Sequence, residues 1–155
     1  TEETGGIIGN GDITMDWIVH VLKRTVDTQY RTKADRRHTF LAGSSMGGLM
    51  TLYGLLAYPE VFSRGAALSP SLWIDAEKVK AMIRHARVKR NTVLYMDYGA
   101  LEFADHPHSR SLFAEVSALL IEKRVLLNSR IVPRGTHCEA SWEKQIPFFM
   151  KTLFE

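Results

Sequence analysis

The chain has 155 residues, a formal net charge of +3, 45% hydrophobic residues and 24% charged ones. These are the proportions of a folded globular domain, and they exclude disordered, collagenous and disulfide-scaffold classes. With Cys138 as the one cysteine there is no internal disulfide. No apolar run is long enough to span a membrane. No basic-then-apolar leader opens the chain, so a cytoplasmic site follows only if no signal peptide precedes Thr1. No repeat, low-complexity tract or linker divides the sequence, and one domain over 1–155 is expected.

In chain order, the first apolar-periodic stretch predicts a helix over about 14–28, capped by Asp12 or Thr14. His20 falls within it and reads as a packed or capping residue. A basic run follows, Arg31 to Arg37; with Lys78 to Arg90 it is a candidate acidic-partner surface. Without aromatic interleaving or a nucleic-acid motif, both runs read as solvated faces, and no nucleic-acid partner is expected. A short strand is expected over 38–43, beginning at His38, and a helix over 47–58.

Between that strand and helix stands Gly43-Ser44-Ser45-Met46-Gly47. It matches G-x-S-x-G, in which a sharp strand-to-helix turn lifts a serine hydroxyl clear of a sheet. The glycines let helix and strand approach, and the helix N-terminus aims its amides at the chemistry. Ser45 holds the central position and Ser44 does not, so Ser45 is the expected nucleophile.

Further strands are expected over 65–69, 92–98 and 127–132, and helices over 75–87, 108–125 and 139–153. In the 108–125 helix Leu112, Val116, Leu119 and Leu120 share one face. Short apolar strands alternating with amphipathic helices imply parallel pairing with right-handed crossovers. The strand C-terminal ends then gather Ser45, Ser69, Glu102 and His137 on one edge.

A serine needs a base, and with this elbow the chain order is Ser, acid, His. His137 lies in the loop before the last helix and fits that order. His85 sits among arginines on a solvated face. Asp105, His106 and His108 resemble a small metal cluster but lack a third or fourth ligand at a sensible spacing, so no metal is expected. The acid comes from Asp97, Glu102 or Asp105. The loop position just past the strand favours Glu102, whose role is to hold the imidazole tautomer. Cys138 adjoins His137 and reads as a packing residue, because neighbours in a chain rarely point at each other.

Several segments together carry a resemblance. Tyr30-Arg31-Thr32 with Asp35-Arg36 precedes the elbow, Gly43 to Leu49. Tyr58-Pro59-Glu60-Val61-Phe62 and Ser69-Pro70-Ser71-Leu72-Trp73 follow it. Gly99 with Glu102, and Gly135-Thr136-His137 with Trp142, complete the set. Over nearly its whole length the chain resembles the putative esterase family of α/β-hydrolases. That family includes esterase D, feruloyl and acetyl-xylan esterases, ferric enterochelin esterases and mycolyltransferases.

The resemblance implies a three-layer α/β-hydrolase-like sandwich with a mainly parallel sheet, lacking the N-terminal strands: the C-terminal portion of a longer domain. It places the triad on Ser45, Glu102 and His137 and one oxyanion donor on the Met46 amide; the second donor, from the β3–αA loop, lies upstream. It implies a serine esterase working through an acyl-enzyme on a small-molecule or carbohydrate ester, with no cofactor and no membrane partner, and with Trp73 lining the acyl or sugar pocket. An acyltransferase would use the same triad, and a non-catalytic binding module would keep the scaffold. Without an upstream neighbour, residues 39–42 form an open apolar edge from which self-association is expected.

Overall fold

The computed structural model describes residues 9–104 and 108–155. Strands β1 (Phe40–Ser44), β2 (Arg64–Leu68), β3 (Val93–Gly99) and β4 (Leu126–Val132) form one sheet in the order β1-β2-β3-β4. All three pairings are parallel. Parallel neighbours need a crossover to bring the chain back to the same end. These are α3 (Met46–Ala57), α4 (Ala76–His85) and α5 (Ser109–Glu122). Ahead of the sheet, α1 (Gly11–Trp17) runs through a π-helical turn, Ile18–Leu22, into α2 (Lys23–Gln29). Behind it come α6 (Glu139–Trp142), a 3-10 turn (Glu143–Gln145) and α7 (Ile146–Phe154).

Alternation along the strands sorts side chains onto two faces. Ala67, Leu94, Met96 and Tyr98 meet Met15, Leu52, Leu55, Ile83, Val116 and Leu120 from α1, α3, α4 and α5. On the other face Ala66, Leu68 and Tyr95 meet Leu153, with Phe149 and Trp142 beside them. The result is the expected three-layer α/β-hydrolase-like sandwich. Full burial of one aliphatic side chain on the first face is worth roughly 1.5–3 kcal/mol, so that layer carries most of the stability. The second layer is thin, and Ile146, Phe148, Met150 and Phe154 of α7 stay exposed.

No strand boundary differs from expectation by more than two residues. Three local expectations fail. The first helix begins at Gly11, so Asp12 and Thr14 lie inside it, and neither caps it. The Thr14 hydroxyl instead donates to the Asn10 carbonyl at 3.0 Å. His20 is exposed rather than buried: it pairs with Asp16 at 3.3 Å, one helical turn away, and its ring meets that of Tyr58 edge-on with centroids 6.4 Å apart. His38 precedes β1 in a 3-10 turn (Arg36–His38), where its Nδ1 meets Asp35 at 2.7 Å.

Among the described residues β1 pairs only with β2, leaving its other side open. A cavity of about 310 Å³ lies along that side, lined by Ile18, Leu22, Val26, Phe40, Leu41 and Phe62.

Adjacent positions in α5 give a direct test of the layering. Leu120 is 0% exposed and Ile121 is 61% exposed. We expect Leu120→Ala to lower the unfolding free energy by about 2–5 kcal/mol and Ile121→Ala by less than about 0.5 kcal/mol, read from chemical denaturation of both variants.

Candidate active site

The elbow is built by close approach. A side chain at Gly43 would come within 2.5 Å of the Gly47 carbonyl carbon and oxygen, so only glycine lets β1 turn directly into α3. At Gly47 itself a Cβ would meet nothing within 4 Å, whereas at Gly48 it would meet the Leu68 carbonyl oxygen at 3.0 Å. The close contacts therefore fall on Gly43 and Gly48. Between them Ser45 takes φ 55° and ψ −120°, a conformation L-residues rarely adopt. Backbone bonds hold it there. Its N–H donates to the Leu68 carbonyl at 2.9 Å, and its carbonyl accepts from Leu49 and from Ser71, each at 3.1 Å. Met46 opens α3, and the first-turn amides of a helix have no partner within it.

The acid and the histidine come from loops after β3 and β4. These loops touch at two glycines: a Cβ at Gly99 would lie 2.5 Å from the Gly135 carbonyl carbon and oxygen and 2.5 Å from Glu102 Oε1. Leu101 N–H donates to the Gly135 carbonyl at 3.0 Å, and Ala100 N–H to that of Val132 at 2.9 Å. Glu102 is 4% exposed. Its Oε1 accepts from the Gly99 N–H at 2.8 Å and the Ser69 hydroxyl at 2.7 Å. Its Oε2 meets His137 Nδ1 at 2.7 Å, and His137 Nε2 meets Ser45 Oγ at 2.8 Å. An ionised carboxylate only accepts, so Nδ1 carries the proton and Nε2 of the neutral ring is left to accept from the serine.

Ser45, His137 and Glu102 therefore form one hydrogen-bonded line, with Ser71 Oγ 3.3 Å from Ser45 Oγ. Ser44 ends β1, and its side chain is absent from this line. Asp97 sits in β3 and is 1% exposed, bonded to the Tyr95 hydroxyl at 2.8 Å and the Ser69 N–H at 3.1 Å. Burial pushes its carboxyl above the ordinary carboxylate value, against those two hydrogen bonds. Asp105 and His106, two of the three residues that resemble a small metal cluster in the sequence, lie outside the described residues. Cys138 is half-buried, its thiol lies 3.2 Å from the Thr136 hydroxyl, and its backbone carbonyl starts α6. Trp73 is half-buried in the 3-10 turn (Leu72–Asp75) that follows Ser71. Two contributors were not given roles from sequence, Ser71 and Trp142. The signal available was a hydroxyl-rich Ser69-Pro70-Ser71 at the end of the strand beside the nucleophile's.

Beside Met46 a cavity of about 490 Å³ runs between α3 and the start of α4, lined by Leu49, Met50, Tyr53, Ile74, Val79 and Met82. A larger one, about 800 Å³, lies at the opposite ends of the strands among Lys33, Arg36, Arg37 and Arg64, and none of Ser45, Glu102 and His137 reaches it. Its size carries no chemistry, and two of its cations have structural partners. Arg36 donates to the Pro59 carbonyl and the Thr92 hydroxyl, and Arg64 to the Leu153 carbonyl. No described helix is long and apolar enough to cross a membrane.

The profile of the family described as "Putative esterase" matches residues 12–150. The iron(III) salmochelin esterase of Escherichia coli O6:H1 (strain CFT073) is 35% identical over 78 residues, covering 50% of this chain and 19% of that protein. The enterochelin esterase of Shigella flexneri aligns with a TM-score of 0.72 at 22% identity, covering 91% of this chain and 37% of that one. The fluorophosphonate-binding serine hydrolase F of Staphylococcus aureus aligns with a TM-score of 0.67 at 18% identity, covering 90% and 63%. At these identities the structural likenesses establish the fold. The chain spans less than two thirds of each relative.

Asp97 gives this region a pH signature. A carboxyl whose folded-state value is raised adds stability below its ordinary value, near 4. That contribution is lost as pH rises through the raised folded value. Asn cannot titrate. The stability of the wild type relative to Asp97→Asn is therefore expected to fall as pH rises from about 4 towards neutrality, measured as the difference in urea midpoints; a flat difference would contradict it.

Proposed function

Because the chain belongs to the Putative esterase family, we propose that it carries the catalytic residues of a serine esterase that hydrolyses carboxylic esters through an acyl-enzyme. The observation that carries this reading is the unbroken Ser45–His137–Glu102 line, with contacts of 2.8 and 2.7 Å. Ser45 Oγ attacks the ester carbonyl carbon while His137 Nε2 takes its proton. Glu102 holds the ring and stabilises the imidazolium that forms. The Met46 amide donates to the oxyanion. His137 then returns the proton to the leaving alcohol, and water repeats the sequence in reverse to free the acid. No step calls for a metal or cofactor.

We read the substrate class from the cavity beside Met46, which Met46 joins to the turn although Ser45, Glu102 and His137 do not line it. This cavity is mainly apolar, with Met46, Met50 and Met82 in its wall alongside Asp12, Asp75 and Lys78, and methionine adapts to flat or irregular groups. It suits the apolar portion of a small-molecule ester. Trp73, two residues beyond Ser71, is the proposed wall for an acyl group or sugar ring. The related salmochelin and enterochelin esterases support a small-molecule ester by their names.

We further propose that residues 1–155 work as the C-terminal portion of a longer α/β-hydrolase domain. Support comes from the open side of β1 and from the share of each relative that the chain spans. An open edge of unpaired amides and carbonyls recruits another chain, so these residues alone are expected to self-associate through β1.

A fluorophosphonate is expected to label Ser45 and no other serine; mass-spectrometric placement on Ser44 or Ser69 would sink the assignment. Glu102→Ala is expected to lower turnover roughly 10³–10⁴-fold, whereas Asp105→Ala leaves it near wild type in an ester-panel assay.

Sedimentation of residues 1–155 alone is expected to show dimers or larger species with weak activity, and addition of an upstream segment to restore both monomer and turnover. A stable, highly active monomer from these residues would refute the pairing.

A further inference from the structure

Two residues around Glu102, Ser69 and Trp142, do no chemistry in the proposed reaction, yet they are tied to each other. Trp142 Nε1 donates to Ser69 Oγ at 3.0 Å, and the Ser69 hydroxyl reaches Glu102 Oε1 at 2.7 Å. An indole N–H only donates. It therefore occupies a lone pair of Ser69 Oγ and leaves that hydroxyl's own proton to point at the carboxylate. The direction of the Ser69 rotor is fixed by Trp142.

The same indole also faces the histidine. Its ring centroid lies 5.0 Å from that of His137 at an interplanar angle of 86°, an edge-to-face contact. The two residues share one short turn, held where the Cys138 carbonyl accepts from Ser141 at 3.0 Å and from Trp142 at 3.2 Å. Ser69 is held just as firmly. Its φ of 41° is a left-handed value, rare for serine. The backbone stays there because its N–H bonds both the Asp97 carbonyl and Asp97 Oδ1, each at 3.1 Å.

We propose that Ser69 and Trp142 are positioning residues. They form a relay, Trp142 to Ser69 to Glu102, that fixes the carboxylate, while the Trp142 ring fixes the imidazole the carboxylate must meet. The carboxylate has few ways to turn. Oε1 is held by Ser69 and Gly99, so Oε2 alone is presented to Nδ1. Each acts through Glu102 and His137, the groups they contact. This rests on the esterase reading for its kinetic consequence, but the geometry stands apart from it.

The test has one arm that needs no turnover. In proton NMR, the His137 Nδ1 proton of the wild-type chain is expected as a low-field resonance slow to exchange with water. Ser69→Ala and Trp142→Phe should broaden or abolish it while the backbone amide spectrum is kept. Trp142→Phe retains an aromatic ring against the imidazole and removes only the N–H. In the second arm, Ser69→Ala should lower kcat about tenfold with KM unchanged, and Trp142→Phe somewhat less. The double variant should be no worse than Ser69→Ala alone, because both act through one chain of bonds.

A wild-type spectrum without the low-field proton would overturn the relay. So would variants that keep it, or losses in the double variant that simply multiply. A wild type that shows the proton but resists fluorophosphonate would sink the esterase reading and leave the relay standing.

Discussion

A buried carboxylate must have its oxygens met by donors, and much of the site's architecture can be traced to meeting that demand at Glu102. At 4% exposure, an unpaired charge there would cost several kcal/mol. The donors come from three different parts of the chain: Ser69 from the end of β2, Gly99 from the end of β3 and His137 from the loop after β4. The carboxylate is thus a knot joining three of the four strand ends. Parallel pairing makes this feasible, because all four strands finish on the same edge. The fourth end, that of β1, is joined through the imidazole to Ser45.

Holding that knot requires a backbone shape that L-residues rarely adopt, taken elsewhere among the described residues by Asn91, Arg124 and Arg134. Ser45 and Ser69 both take positive φ, 55° and 41°. Each such residue costs on the order of 1–3 kcal/mol. Both sit just past a strand end, and both are held by bonds from the neighbouring strand: Ser45 N–H to Leu68, Ser69 N–H to Asp97. The strain is therefore maintained by the sheet, and a sheet that frays loses the site before it loses the core. The glycine pair Gly99 and Gly135 plays the matching part on the other side, where two loops touch closely enough to exclude a single methyl group.

Much of this was legible in the residues. The elbow pattern fixes a strand, a turn and a helix at once, and chain order then points to a histidine near the C-terminus. Period and length placed the strands to within two residues because parallel strands in a buried sheet read as short apolar runs. The helix start was misread because Asp12 and Thr14 are good caps by type, whereas the chain enters its helix through Asn10 and Gly11. His20 looked buried in an apolar stretch because the π turn Ile18–Leu22 shifts the phase of the stripe. Among the carboxylates, position alone favoured Glu102, but the part of Asp97 was invisible. Nothing in the sequence says that a strand carboxylate will bond a serine amide across the sheet and hold it at positive φ. The contribution of Trp142 was hidden for the same reason, since its partner Ser69 is distant in sequence.

The weak points of the fold and of the chemistry lie together. β1 leads into Ser45 and, among the described residues, is one of the two edge strands, β4 being the other. Beside the open side of β1 run Leu22 of the π turn and Val26 of α2, both exposed, and across the sheet Phe148 and Phe154 of α7 stay partly exposed, with Arg130 over the first ring and Phe40 edge-on to the second. A strand laid along β1 in parallel would finish level with Ser45. A loop leaving its C-terminal end would then pass close to Ser45 Oγ. One added element would thus satisfy the free amides of the edge and bring a second N–H to the oxyanion, joining stability and rate in a single contact. On the esterase reading proposed above, sheet completion and oxyanion-hole completion would be one event.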